Sequence, residues 1–173
     1  MTASEDLKRG KKLLSDRPDL LKRLLNIADF EQRALKLTIM SARDARTAFG
    51  PTFDGLAHEE LHAIYTDRRN RIIAMERLTV GSDQYTVVDP KQILRPAVAL
   101  GAAGFILAHN HPSGDSTCSP QDRDVTRRLC SAARMVGVAF LDRLIITNDS
   151  WSSMRETGGM FDNAGALPPS YTN

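Results

Sequence analysis

Long hydrophobic runs are missing from this 173-residue sequence. Nothing approaches the roughly 20 consecutive apolar residues that a membrane-spanning helix needs. The polar start Met1-Thr2-Ala3-Ser4-Glu5-Asp6 has no apolar stretch behind it, so no secretory leader is expected either. Cysteine is scarce: Cys118 and Cys130 are the whole complement. Two thiols make no disulfide framework, and a reducing, cytoplasmic setting is expected. An excess of one charge is also lacking, since 23 Lys and Arg against 21 Asp and Glu leave a formal net charge of +2. That balance permits nucleic-acid contact without supporting it, because a dedicated binder concentrates charge on one face. The basic cluster Lys8, Arg9, Lys11 and Lys12 is offset by Glu5, Asp6, Asp16 and Asp19, and reads as a solvated helical face.

What is present is a globular composition, 42% hydrophobic and 25% charged, in a chain long enough for one good-sized core. Leucines 7, 14, 21 and 25 recur at helix-like intervals, which suggests a helical extension over residues 1–40. Ser41 reads as the cap of a short helix ending near Gly50-Pro51. Alternation from Leu61 to Thr66, the polar turn Asp67-Arg68-Arg69-Asn70 and the returning run Arg71–Leu78 predict a hairpin. Asp89-Pro90 opens a helix that closes at Gly101, and the apolar run from Gly104 to His109 suits a buried central strand. Ser119-Pro120 opens a further helix closed by Gly137. Strands follow over Val138–Thr147 and near Trp151–Met154, and the tail over 163–173 is expected to be disordered. Helices alternating with strands give an α/β class with a mixed sheet and helices on both faces.

The chemistry concentrates in one stretch. In an extended strand residues i and i+2 share a face, so His109 and His111 present two imidazoles together where a strand runs out into a loop. Pro112 and Gly114 then turn the chain sharply. Ser119 caps the next helix, and Asp122 falls in its first turn, where the helix dipole favours a carboxylate. If the loop folds back, two histidines and one carboxylate meet as three ligands with a position left for water. Catalytic zinc sites have that layout, whereas structural ones are closed.

The run His109-Asn110-His111-Pro112-Ser113-Gly114, with Ser119 and Asp122, resembles the JAMM metalloprotease motif of His-x-His, seven residues, Ser, two residues and Asp. Arg71-Ile72-Ile73 with Glu76 and Gly81, then Thr126–Leu129, Leu141-Asp142 and Ser153–Gly158, resemble the bacterial RadC-like branch of the JAB/MPN family over roughly residues 41–162. This resemblance implies a three-layer α/β/α, cytidine-deaminase-like fold in a catalytic domain spanning 41–162. It implies one zinc ion held by His109, His111 and Asp122, with Glu76 as general base. Ser119 is implied as the hydrogen-bond donor to the developing oxyanion. The expected activity is hydrolysis of an amide bond in a protein or peptide substrate. Two departures stand out: Cys118 replaces the proline that usually precedes the motif serine, and Arg143 stands where a histidine usually follows Asp142.

Other readings compete. His58-Glu59-Glu60-Leu61-His62 spells the zincin motif, but that mechanism needs a helix, and the residues that follow alternate as a strand. A helix cap leading into the first strand is the plainer expectation there. HNH nucleases spread their letters over a longer unit, and the His-x-Glu and Pro-Cys-x-x-Cys elements of zinc deaminases are absent. The alternative from another class is an accessory protein of DNA repair or DNA metabolism that uses the fold without peptidase activity.

Overall fold

The structure, a computed structural model, describes residues 37–80 and 89–158. The helical extension expected over 1–40 falls outside the described residues except for its last four, as does the tail expected over 163–173. Those last four are extended rather than helical: Thr38 bridges Arg71, and Ile39 donates its amide to Asn70 O at 2.9 Å. Ile39 is fully buried, so packing begins ahead of residue 41.

Local chemistry starts and stops each element. Ser41 accepts the Asp44 amide at 3.1 Å and caps α1 (Ala42–Phe49); a short 3₁₀ turn, Gly50–Phe53, follows. Strands β1 (Glu60–Thr66) and β2 (Ile72–Val80) form the expected hairpin. In its turn Asp67 accepts the amides of Arg69 and Arg71, and Asn70 takes the left-handed φ of 58° that asparagine tolerates. Asp89 caps α2 (Pro90–Ala99), with Pro90 at the first helical position. β3 (Gly104–Asn110), α3 (Pro120–Met135), β4 (Ala139–Ile146), β5 (Trp151–Ser153) and the single turn α4 (Met154–Thr157) complete the described chain.

The strands form one mixed five-stranded sheet in the order β2-β1-β3-β4-β5. Only β3 and β4 pair in parallel, and α3 supplies the crossover that a parallel pair requires. Every residue of β1 and β3 is buried, as the centre of a two-faced sheet demands. On one face Leu61, Ala63, Phe105 and Leu107 pack under α2 and α3 through Ile93, Ala97, Leu129 and Ala133. On the other, Ile64, Ile106, Leu144 and Ile146 pack under α1 through Ala45, Ala48 and Phe49. Each large side chain so buried stabilises the fold by about 1.5–3 kcal/mol. This is the three-layer α/β/α arrangement.

One irregularity positions the site. The register between β3 and β4 slips after Phe105↔Phe140, so Ile106 faces Asp142 and Leu107 faces Arg143, with Leu141 as the extra residue of a bulge. Leu141 fills the place where a side chain on Gly104 would stand, 3.0 Å from that ideal Cβ. After the bulge Arg143 looks toward α3 and Asp142 away from it. Asp142 is fully buried and accepts from Ser153 Oγ at 2.7 Å, Arg143 N at 2.7 Å and Arg155 N at 3.1 Å.

Burial raises the Asp142 carboxyl to about 6, against the pull of those donors. A raised carboxyl keeps its proton in the folded state while the unfolded chain has lost it. Its contribution to stability is therefore present below about pH 4 and lost as pH rises through about 6. Relative to wild type, Asp142→Asn should gain about 2–3 kcal/mol between pH 4 and pH 7. Urea unfolding of both proteins at the two pH values tests this; a pH-independent difference would refute it.

Candidate metal centre

β3 delivers His109 on the face that α3 covers, and the chain leaves the sheet one residue later. The amide of His111 still bonds Ile146 O at 2.9 Å, and Gly114 N closes a turn onto His111 O at 3.1 Å. Gly114, at a φ of 85°, adopts a backbone that a residue with a Cβ rarely takes. The returning loop is tied to the β4–β5 connection by Ser116 Oγ and Ser150 Oγ at 3.0 Å. It ends at Ser119, whose hydroxyl accepts the Asp122 amide while the Asp122 carboxylate accepts the Ser119 amide, both at 3.0 Å. This reciprocal cap fixes the first turn of α3 and aims Asp122 at β3.

The three expected ligands converge. His109 Nε2 and His111 Nε2 lie 3.0 Å apart, and Asp122 Oδ1 is 3.2 Å from His109 Nε2. Asp122 Oδ2 is 3.9 Å from His111 Nε2. An ion bonded at about 2.0–2.1 Å by each donor of a tetrahedron sets those donors about 3.3 Å apart. The first two separations lie close to that figure and the third is longer, and the three residues can hold a metal ion. The protonation states agree with the geometry. Burial, helped by the Arg143 charge, lowers His109 to about 4, so its imidazole is neutral, as a ligand must be. His111 donates Nδ1–H to Asp115 O at 2.7 Å, which turns its Nε2 toward the cluster. Burial would raise Asp122, but the His109 and Ser119 hydrogen bonds and the Arg143 charge hold its carboxyl well below the usual range. Against this, His109 Nδ1 is buried with no hydrogen-bond partner among the described residues.

Glu76 sits apart from these three. It stands opposite Ala63 on β2, and Ala63 stands opposite Leu107, two residues before His109. Directly opposed residues share a face, so Glu76 projects on the His109 side of the sheet. Its charge helps burial raise the Tyr65 phenol on that face. Two strand spacings across and two residues along put the Cα atoms of Glu76 and His109 about 12 Å apart. No hydrogen bond joins Glu76 to the cluster among the described residues. Ser119 lies at the cluster but gives its hydroxyl hydrogen to Asp122 Oδ2 at 2.6 Å, so offering it to a substrate oxygen requires rotation. Cys118 is half-buried, and burial and the Asp122 charge raise its thiol; it is not among the three residues that converge.

Two arrangements were not anticipated from the sequence. Arg143 donates from Nη2 to Asp122 Oδ1 at 2.7 Å, and from Nη1 to Asp122 O at 3.3 Å and Thr126 Oγ1 at 3.2 Å. Asn110, between the two histidines, accepts Glu60 N at 2.8 Å and donates to His58 O at 2.9 Å, pinning the start of β1 to the end of β3. The zincin-like run is thereby explained. It forms no helix: Glu60 lies in β1, buried, with His62 Nε2 at 2.8 Å and His58 Nε2 at 3.1 Å. The expected helix cap is likewise replaced by a strand end.

A mixed sheet between helices, with a His-x-His strand end facing a capped aspartate, defines a JAB-type α/β domain. The sequence model described as the RadC-like JAB domain matches residues 39–160. The chain belongs to that family. It is 36% identical to the UPF0758 protein YfjY of Escherichia coli (strain K12) over 138 residues, 80% of this chain and 86% of that one. It is 38% identical to the UPF0758 protein STH371 of Symbiobacterium thermophilum over 108 residues, 62% of this chain and 46% of that one. With the UPF0758 protein GWCH70_2550 of Geobacillus sp. (strain WCH70) the identity is 39% over 103 residues, 60% of this chain and 46% of that one. The chain thus spans about half the length of several curated relatives and most of YfjY. Among the described residues no helix is long and apolar enough to cross a membrane.

Because Ser119 both caps α3 and orients Asp122, Ser119→Ala should lower stability by about 1–2 kcal/mol in metal-free protein. Denaturant titration in the presence of a chelator measures this, and an unchanged midpoint would refute the capping role.

Proposed function

We propose that the protein is a zinc-dependent hydrolase of the JAMM type that cleaves an amide bond, peptide or isopeptide, in a protein or peptide substrate. The observation that carries this reading is the convergence of His109, His111 and Asp122 in a domain of the RadC-like JAB family. Two neutral imidazoles and one carboxylate are the donor set of an open zinc site, and zinc bound there supplies a Lewis acid and water activated at neutral pH. The chain's own residues do the rest. Asp122 and Asp115 O orient the histidine rings. Glu76, on the His109 side of the sheet, takes a proton from the attacking water and delivers it to the leaving nitrogen. Ser119, once its hydroxyl turns from Asp122, donates to the oxygen on which charge develops.

Purified protein reconstituted with zinc should hold close to one ion per chain by elemental analysis, lost in His109→Ala and Asp122→Ala and kept in Glu76→Gln. Wild-type protein that retains no zinc would sink the reading. On peptide- and isopeptide-linked test substrates, Glu76→Gln should cut the cleavage rate by about 100-fold or more with zinc content unchanged. Equal rates in the two proteins would remove Glu76 from the chemistry.

A further inference from the structure

The Arg143 guanidinium is buried, and among the described residues Asp122 is the only carboxylate within ion-pair distance of it, at 2.7 Å. Its Nη1 is fastened to the same helix through Asp122 O and Thr126 Oγ1, whereas Nε is buried without a hydrogen-bond partner. The cation is therefore held by α3 almost wholly through one residue, and that residue is one of the three donors of the candidate metal centre. Taking one partner out of such a pair leaves a bare buried charge and is strongly destabilising.

The charge balance follows. Two imidazoles and one carboxylate acting as ligands carry −1, which a divalent cation brings to +1. With Arg143 behind Asp122 the protein groups sum to zero, and the same cation brings the centre to +2. Outer partners of a metal ligand that are themselves carboxylates or carbonyls raise its basicity. Arg143 does the reverse, because it draws electron density from the Asp122 oxygen that it touches. It also places a positive charge one carboxylate oxygen away from where the cation would sit.

We propose that Arg143 is a positioning residue, the resident counter-cation of Asp122: it keeps the His109–His111–Asp122 cluster assembled when no metal is bound and weakens the cluster's hold on a divalent cation. The inference rests on the reading of these residues as a metal centre. Its consequence is a domain that is folded and preorganised without its ion and fills according to how much cation is available.

The test separates charge from hydrogen bonding. Arg143→His at pH 8 keeps a donor and drops the charge, Arg143→Met drops both, and Arg143→Lys keeps the charge. Zinc affinity is read by competition with a chromogenic chelator, and metal-free stability by urea unfolding in EDTA. Zinc should bind about tenfold or more tightly to Arg143→His and Arg143→Met, with Arg143→Lys staying near wild type. The His and Met proteins should be less stable than wild type without metal and recover more on adding zinc. A merely structural arginine predicts the opposite, with stability and zinc affinity falling together. Unchanged or weaker zinc binding in Arg143→His overturns the inference, and this variant decides the matter if Arg143→Met does not fold. Zinc binding by none of the proteins, wild type included, would instead overturn the metal-centre reading itself.

Discussion

The carboxylate of Asp122 ties together the facing ends of three elements, α3, β3 and β4. It closes the cap of α3 through Ser119, meets the end of β3 through His109 and takes the charge of β4 through Arg143. A buried carboxylate survives only when its oxygens are satisfied, so these contacts are mutually dependent. Remove the cap and the helix loses its aim; remove the arginine and the charge loses its partner. The loop from His111 to Cys118 can be irregular because both of its ends are fixed by this one group and by the bond of His111 N to Ile146 O.

Much of this was legible in the sequence because it is local. Ser41, Asp89-Pro90 and Ser119-Pro120 are side chains acting on amides two or three residues away, and each starts a helix where expected. The hairpin and the buried run from Gly104 follow from alternation and its absence. His109, His111 and Asp122 could be grouped because one turn and one cap connect them. Glu76 could not be placed that way, since its relation to His109 runs through the register of two intervening strand pairs.

What stayed hidden depends on contacts between distant segments. Residues 37–40 read as the end of a helical extension, yet pairing with Arg71 and the burial of Ile39 draw them into the sheet. His58 and His62 spelled a metal motif, but His58 precedes β1 and His62 lies within it, and Glu60 between them accepts hydrogen bonds from both. Asn110, to which the sequence assigned no role, is the clamp that sets where β3 ends relative to β1. None of these partners lies at a spacing that helix or strand periodicity would flag.

The bulge at Leu141 has a consequence for the charge that stands beside the cluster. Asp142 and Arg143 are neighbours of opposite charge, and the extra residue before them decides which one looks at α3. Had β4 run on from Phe140 in regular register, Leu107 would face Asp142, and an acid in place of a base would stand behind the Asp122 carboxylate. A single residue of strand length therefore decides whether a cation or a carboxyl group stands behind Asp122. The pleat of one strand thus sets the charge beside the cluster without any change in His109, His111 or Asp122 themselves.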